Sequence, residues 1–411
     1  MINLIKRKPS FDFNPEIRML LASAHSRLSD KQRQSISSLL NNRIDWQTLV
    51  QLAQHQGIFP LFYKNINSID SSVWPQSGVR DLRLRFYTYV YTSTVLLKEH
   101  LELIQLLQKA SLRAIPYKGP VFTRQFYGDP VYRQYCDLDI LVCKDDFLEA
   151  HQVLLEYGFT LMKKPDEELA HSFKYDVHWS YYHGEKKYRV ELHWDLVKQK
   201  RLKHAFHLEE HWDNLQQVEI DGIKFKNFDL SHLLLFSCMH SAKHSFASLK
   251  WICDISEMVK DIESQQWSHL IGLSKRYHIY RILQTGLALA FDLLQAEVPY
   301  PVMEKCRTRP VYILEKMAFS NIFTHSSQRL ALSDNLLNYL FIIISRERFG
   351  DKLIAEFFLP NERDRKCIPL PAALHFLYFF VRIFRLSRVY LKYLFSLLYK
   401  RSTSGTTGSG R

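Results

Sequence analysis

The segment CDLDILV, residues 136–142, places two carboxylates, Asp137 and Asp139, at alternate positions of an otherwise apolar run. In a strand the side chains alternate between faces, so Leu138, Ile140 and Val142 point one way while Asp137, Asp139 and Leu141 point the other. The apolar face must be anchored in a core. The opposite face then carries two like charges side by side, which repel each other unless a cation lies between them. A D-x-D pair taken alone also occurs where an aspartate is solvated or caps a turn, so the rest of the chain has to decide what these two acids do.

A second strand changes the balance. In RVELHWDL, residues 189–196, Arg189, Glu191 and His193 share one face while Val190, Leu192 and Trp194 share the other. Glu191 is thus a third carboxylate against an apolar backing. Three acids from two neighbouring strands suit Mg²⁺, whose octahedral shell is completed by water and substrate phosphates. His193 reads equally as a hydrogen-bonded histidine or as a group that touches phosphate or a nucleophile. Upstream, YKGP supplies Lys118 and Gly119 where the chain turns from a strand towards a helix, a place where backbone amides and a cation can meet a polyphosphate. Arg133, four residues before Asp137, adds a forked donor for the same phosphates. Either cation alone fits an ordinary surface, but with the acids they make a coherent site.

The strands sit between two helical regions, and 411 residues exceed what a single core usually supports. Residues 1–113 carry helical spacing, in DWQTLVQLAQHQGIFPLFYKNI, with a stop near Gly57, and in a long run from Val79. Residues 114–228 alternate: strands at AIPY, CDLDILV, YDVHWSYYH and YRVELHWDL, a helix over DDFLEAHQVLLEYGF that ends near Gly158, and a tight turn at Asp221-Gly222 between two further strands. Residues 229–348 return to helical spacing, with Asp229 or Ser231 as N-cap. Residues 349–400 form basic, aromatic-rich helices, and RSTSGTTGSGR at 401–411 reads as a disordered tail. The expected class is α+β, with a mixed sheet flanked by helical regions.

Composition narrows the remaining classes. With 46% apolar and 24% charged residues the chain is neither disordered nor a polytopic membrane protein. Its net charge of +13 is concentrated at one end: from Arg365 onward there are nine Lys or Arg and no Asp or Glu, leaving 46 basic against 42 acidic residues before it. The excess therefore lies in the tail. In residues 374–400, Arg382, Arg385, Arg388 and Lys392 line one side of a helix whose remainder is largely aromatic and aliphatic. Such a helix suits an anionic membrane interface, a protein partner or the chain's own core. Six cysteines without a C-x-x-C pair, and an N-terminus without the apolar core of a signal peptide, point to the cytoplasm, with peripheral attachment at the inner membrane face left open.

The ordered combination YKGP, Arg133, CDLDILV, VELHW and LLLFSCMHSAKHSFASLKWICDISEMV resembles the nucleotidyltransferase superfamily with the polymerase-β-like palm, and within it the bacterial branch called nucleotidyltransferase family 5. DWQTLVQLAQHQGIFPLFYKNI is similar to that branch's N-terminal helix, so the resemblance covers about residues 40–300. It implies a Mg²⁺-dependent enzyme with two ions that transfers a nucleoside monophosphate from a nucleoside triphosphate such as ATP to a small-molecule, sugar or peptide acceptor rather than long nucleic acid, in surface-polysaccharide or modified-peptide synthesis. Asp137, Asp139 and Glu191 would bind metal, Lys118, Gly119 and Arg133 the nucleotide, and Lys243 would reach the triphosphate. His240, Trp251 and Asp254 match the same helical segment; packing and capping account equally well for Trp251 and Asp254. The chain departs from better-known members of the superfamily, which carry Gly-Ser closer to the D-x-D pair, where this one has Gly119-Pro120. Two alternatives are a toxin-type nucleotidyltransferase acting on transfer RNA or protein, and a non-catalytic nucleotide-binding scaffold.

Overall fold

The computed structural model describes residues 13–74, 78–162, 177–196, 208–323, 368, 370–385 and 387–388. Among the described residues, five helices precede the sheet: α1 (Pro15–Ala22), α2 (Asp30–Leu40), α3 (Trp46–His55), α4 (Phe59–Ile69) and α5 (Val79–Lys109). Local chemistry sets their ends. Asn14, Ser29 and Asp45 each accept a first-turn backbone amide of the helix that follows. Gly57 takes a left-handed φ of +73°, which lets the chain leave α3, as its spacing predicts, and enter α4 with Pro60 in the first turn.

The central layer is a five-stranded mixed sheet of β1 (Ala114–Pro116), β2 (Leu138–Val142), β3 (Phe159–Leu161), β4 (His178–His183) and β5 (Tyr188–His193). The spatial order is β1-β2-β5-β4-β3, with β2 and β5 parallel and the other pairs antiparallel. Helix α6 (Gly119–Tyr127) follows β1, and α7 (Phe147–Glu156) follows β2. One face of the sheet is apolar: Leu138, Ile140, Val142, Val190, Leu192 and Trp194 are buried in one cluster with residues of α5 and α7. Each fully buried Leu, Ile or Val contributes about 1.5–3 kcal/mol relative to exposure. That fixes the register, because a one-residue slip would turn this set outward.

A separate hairpin, β6 (Gln216–Ile220) and β7 (Ile223–Asn227), turns at Asp221 and Gly222, both at positive φ as a primed turn requires. Helices α8 (Leu230–Lys243), α9 (Leu249–Val259), α10 (Gln266–Arg276), α11 (Tyr280–Leu294), α12 (Tyr300–Cys306) and α13 (Arg309–Phe323) follow. Asp229 is the N-cap of α8, accepting from the His232 amide. Helices α8, α9 and α11 meet at Gly286, where a Cβ would lie 2.9 Å from Cys238 Sγ and 3.0 Å from Ile255 Cδ1.

One buried residue ties the first helices to these later ones. Gln56 accepts at its carbonyl from the Lys250 amide (3.2 Å) and Ser248 Oγ (3.1 Å), and at Oε1 from the Leu249 amide (2.8 Å). The neighbouring Gly57 carbonyl accepts from the Gln134 amide, three residues before Asp137.

The described residues fall into two units, one ending at Ile322 and the other beginning at Phe323. In the second, a short 3-10 helix (Ala372–Leu377) leads to Tyr378, whose hydroxyl accepts from the Leu370 amide, while Phe376, Phe380 and Phe384 are exposed at spacings of four. The helical expectation for 324–348, most of the 349–400 region including 389–400 of the amphipathic segment, and the 401–411 tail lie outside the described residues. Among the described residues no helix is long and apolar enough to cross a membrane.

Candidate active site

The polar face of the sheet gathers the acids. Parallel pairing sets Asp139 of β2 opposite Glu191 of β5, and the antiparallel β4 sets Ser180 opposite Glu191 and His178 opposite His193. Asp137 lies one residue before β2 on the Asp139 side. His193 Nε2 is 2.9 Å from Asp139 Oδ1 and 3.3 Å from Glu191 Oε2, and His178 Nε2 is 3.6 Å from the same Glu191 oxygen.

The three carboxyls differ in their surroundings. Burial and the nearby charges of Asp139 and Glu191 push Asp137 up to about 6. Burial works against ionised Asp139 as well, but the His193 hydrogen bond and the charges of His193, Lys118 and Arg133 outweigh it and hold the carboxyl below its ordinary range. For Glu191 the same opposition is settled by His193 and His178, again downward. Burial would lower His193, and its two carboxylate partners reverse that and raise it.

Of these three, Asp137 is thus the acid whose charge costs the fold most. Its folded-state value lies above its unfolded one, so the cost is absent in acid and grows as pH rises through about 6. In chelator, Asp137→Asn should raise stability by about 1–2 kcal/mol near pH 7.5 and leave it unchanged near pH 4. Thermal unfolding at the two pH values checks this; an equal effect at both, or destabilisation at the higher, contradicts it.

A cationic group faces the acids. Lys118 is the N-cap residue of α6, and Gly119 beside it takes φ +75°, where a Cβ would come within 3.4 Å of the Asp137 carbonyl and 3.7 Å of the His100 ring. Lys118 Nζ donates to His240 Nδ1 at 2.7 Å, across from α8. Burial first, then the charges of Arg133 and Lys243, brings Lys118 down to about 8. Burial and the surrounding lysines also push His240 well below its usual value and bring His244 to about 4, so both imidazoles are neutral near pH 7. Trp251 stacks on His244 with ring centroids 5.2 Å apart.

Lys250, at the start of α9, is lowered by burial and by Arg133. Its side chain passes Gly57, where a Cβ would lie 2.6 Å from Lys250 Cδ. Lysines held together by the fold, with burial opposing their charge, form a place for a polyanion.

Arg133 is placed differently from the other cations. Its Nε reaches Asp254 Oδ1 at 2.7 Å and Oδ2 at 3.0 Å, and the Tyr127 hydroxyl donates to the same carboxylate at 2.8 Å. All three residues are buried. The cluster binds α6, the loop before β2 and α9 to one another.

Asp137, Asp139, Glu191 and His193 therefore share one face, with Lys118, Lys243, His240 and Gly119 around its edge. Sequence reasoning missed His178, His244, Lys250 and His100. His178 had a usable signal: the four-residue turn after His183 pairs His183 with Tyr188, and counting back pairs His178 with His193.

A mixed sheet carrying three acids on its polar face, with a lysine-glycine turn at the start of the next helix, defines an enzyme that transfers a phosphate-bearing group. A family model described as uncharacterised nucleotidyltransferase matches residues 42–295, and the chain belongs to that family. Its reaction is nucleotidyl transfer, with a nucleoside triphosphate as substrate. Comparison with curated proteins gave no match.

Proposed function

We propose that the protein transfers a nucleoside monophosphate from a nucleoside triphosphate to a hydroxyl or phosphate of a small-molecule, sugar or peptide acceptor, with Mg²⁺ at Asp137, Asp139 and Glu191. The observation that carries this is the in-register Asp139–Glu191 pair on parallel strands, with Lys118 next to Tyr117, whose amide donates to the Asp139 carbonyl at 3.0 Å. The donor set fits the ion: three carboxyls, one of them strongly resisting its charge in the absence of a counter-ion, are hard oxygen ligands. Bound divalent ions would neutralise the triphosphate and the charge that develops at its α-phosphate.

The chain's own residues do the remaining work. Lys118 and Lys243 hold the β- and γ-phosphates, and the Gly119 and Val121 amides on either side of Pro120 complete the cradle. As the acceptor oxygen bonds to the α-phosphorus, the bond from that phosphorus to the β-phosphate oxygen breaks and pyrophosphate leaves, with Glu191 assisting removal of the acceptor's proton. His193 keeps Asp139 and Glu191 aligned. The tail carries most of the positive excess and the palm does not, which favours a small acceptor over long nucleic acid. A cytoplasmic setting supplies the triphosphate, and residues 374–400 are the proposed point of attachment to the inner membrane face or to a protein partner.

Incubation with radiolabelled nucleoside triphosphates, Mg²⁺ and cell lysate should label a small product, identified after separation; no labelled product with any triphosphate would overturn the reading. Lys118→Ala and Lys243→Ala should each weaken triphosphate binding by about 1–3 kcal/mol, the scale of a charge-assisted hydrogen bond. Because Lys118 titrates near 8 in the free protein and binds phosphate when charged, affinity should fall as pH rises through that value, and Lys118→Ala should flatten the fall. Calorimetry on both sides of that pH, with wild type and variant, checks the magnitude and the slope.

A further inference from the structure

The edge of the carboxylate face nearest β4 has a donor set unlike that of a magnesium site. His178, Glu191 and His193 each present one ligand atom, and the three atoms lie within 4.8 Å of one another. The placement follows from the ladder: His178 and His193 are direct cross-strand partners in the antiparallel β4–β5 pair, with ring centroids 4.7 Å apart. Glu191 lies two residues before His193, on the same face.

The two spacings to Glu191 match a tetrahedral ion. Bonds of about 2.1 Å from zinc to nitrogen or oxygen require ligand atoms about 3.4 Å apart, against about 3.0 Å for adjacent octahedral positions. His193 Nε2 and His178 Nε2 lie 3.3 Å and 3.6 Å from Glu191 Oε2. The chemistry agrees with the distances, because imidazole nitrogens favour zinc and its neighbours over magnesium, and two histidines with one glutamate form a donor set that leaves a fourth position open. His193 is buried, while the side chains of His178 and Glu191 keep 29% and 27% of their exposure, so an ion can enter and a fourth ligand can reach it. His193 Nε2 also lies 2.9 Å from Asp139 Oδ1, so an ion bound at this nitrogen takes the place of the proton shared with Asp139.

We propose that His178, Glu191 and His193 form a binding site for a tetrahedral transition-metal ion of the zinc type, next to the D-x-D pair and sharing Glu191 with it. The carboxylate face then holds two ions of different chemistry, a hard ion at Asp137 and Asp139 and a softer one at the hairpin. The inference rests on the carboxylate face described above, and binding tests it without reference to turnover.

The test uses the full chain stripped with chelator and titrated with Co²⁺, a spectroscopic stand-in for zinc. The expected result is the intense visible band of tetrahedral Co²⁺, saturating at one equivalent, abolished by Zn²⁺ and unaffected by millimolar Mg²⁺. His178→Ala and His193→Ala should each weaken Co²⁺ and Zn²⁺ binding at least about tenfold, consistent with the effects of disturbing a metal's ligand shell. His178→Gln, close in size and still polar, should show the same loss with an unchanged circular dichroism spectrum, which separates ligation from folding. Asp137→Asn should retain the band. Absence of the band in wild type, its displacement by millimolar Mg²⁺, or its persistence in folded His178→Gln would overturn the proposal. If labelled product still forms with Mg²⁺ in those cases, the transferase reading stands without it; an intact Co²⁺ site with no transfer to any acceptor overturns the transferase reading alone.

Discussion

Asp139→Asn should lower nucleotidyl transfer at least about a hundredfold, or roughly 2.7 kcal/mol of barrier, while the folded protein should keep its melting curve within a few degrees. Asparagine preserves the volume of the side chain and can still accept from His193 Nε2, which lies 2.9 Å from Asp139 Oδ1. It removes only the charge. That charge is the one the surroundings maintain against burial, through His193, Lys118 and Arg133, so its loss bears directly on the ability of the face to hold a divalent cation. Glu191→Gln should behave alike, since Glu191 is the cross-strand partner of Asp139. Initial rates of label incorporation, taken beside thermal unfolding of the same samples, make the measurement. A folded Asp139→Asn enzyme with a near-normal rate would remove the carboxylates from the mechanism.

The second large effect concerns stability. Asp254→Ala should destabilise the protein by about 3–5 kcal/mol in urea unfolding, because it leaves the buried guanidinium of Arg133 without its counter-charge. The Tyr127 hydroxyl loses its acceptor in the same step. Replacing both members of the pair, as Arg133→Met with Asp254→Leu, should recover at least half of that loss, since well-packed apolar residues often substitute for a buried ion pair at little cost. A double variant as unstable as Asp254→Ala would mean that the pair contributes more than the cost of an orphaned charge. Triphosphate affinity of the double variant, compared with wild type, measures separately what the terminal nitrogens of Arg133 add.

Much of this site was legible because it is encoded by local alternation. CDLDILV and RVELHW each assign their carboxylates to one face without reference to anything distant, and the turns at 184–187 and 221–222 set the antiparallel registers. The strand order was not legible. Pairing β2 with β5, and in parallel, depends on where α7, β3 and β4 carry the chain in between. Nor were the contacts that lock the site's edges: Arg133 to Asp254 spans 121 positions and Lys118 to His240 spans 122. A lone arginine before two aspartates reads as a phosphate contact when its partner is that far along the chain. Trp251 and Asp254 looked like packing residues, and Asp254 does pack, though through a charge that no periodicity reveals.

The alternation that builds the face also makes the catalytic assembly all-or-none. Asp139 and Glu191 hold their places because Leu138, Ile140, Val190 and Leu192 are buried behind them. A strand misaligned by a single residue would drive its carboxylate into the hydrophobic layer and turn isoleucine or leucine to the polar face in its place. Such a molecule would be heavily penalised before it ever met a nucleotide. Selection for a sound core and selection for a competent face are in this parallel strand pair the same pressure, so newly made chains that pass one form of quality control have already passed the other.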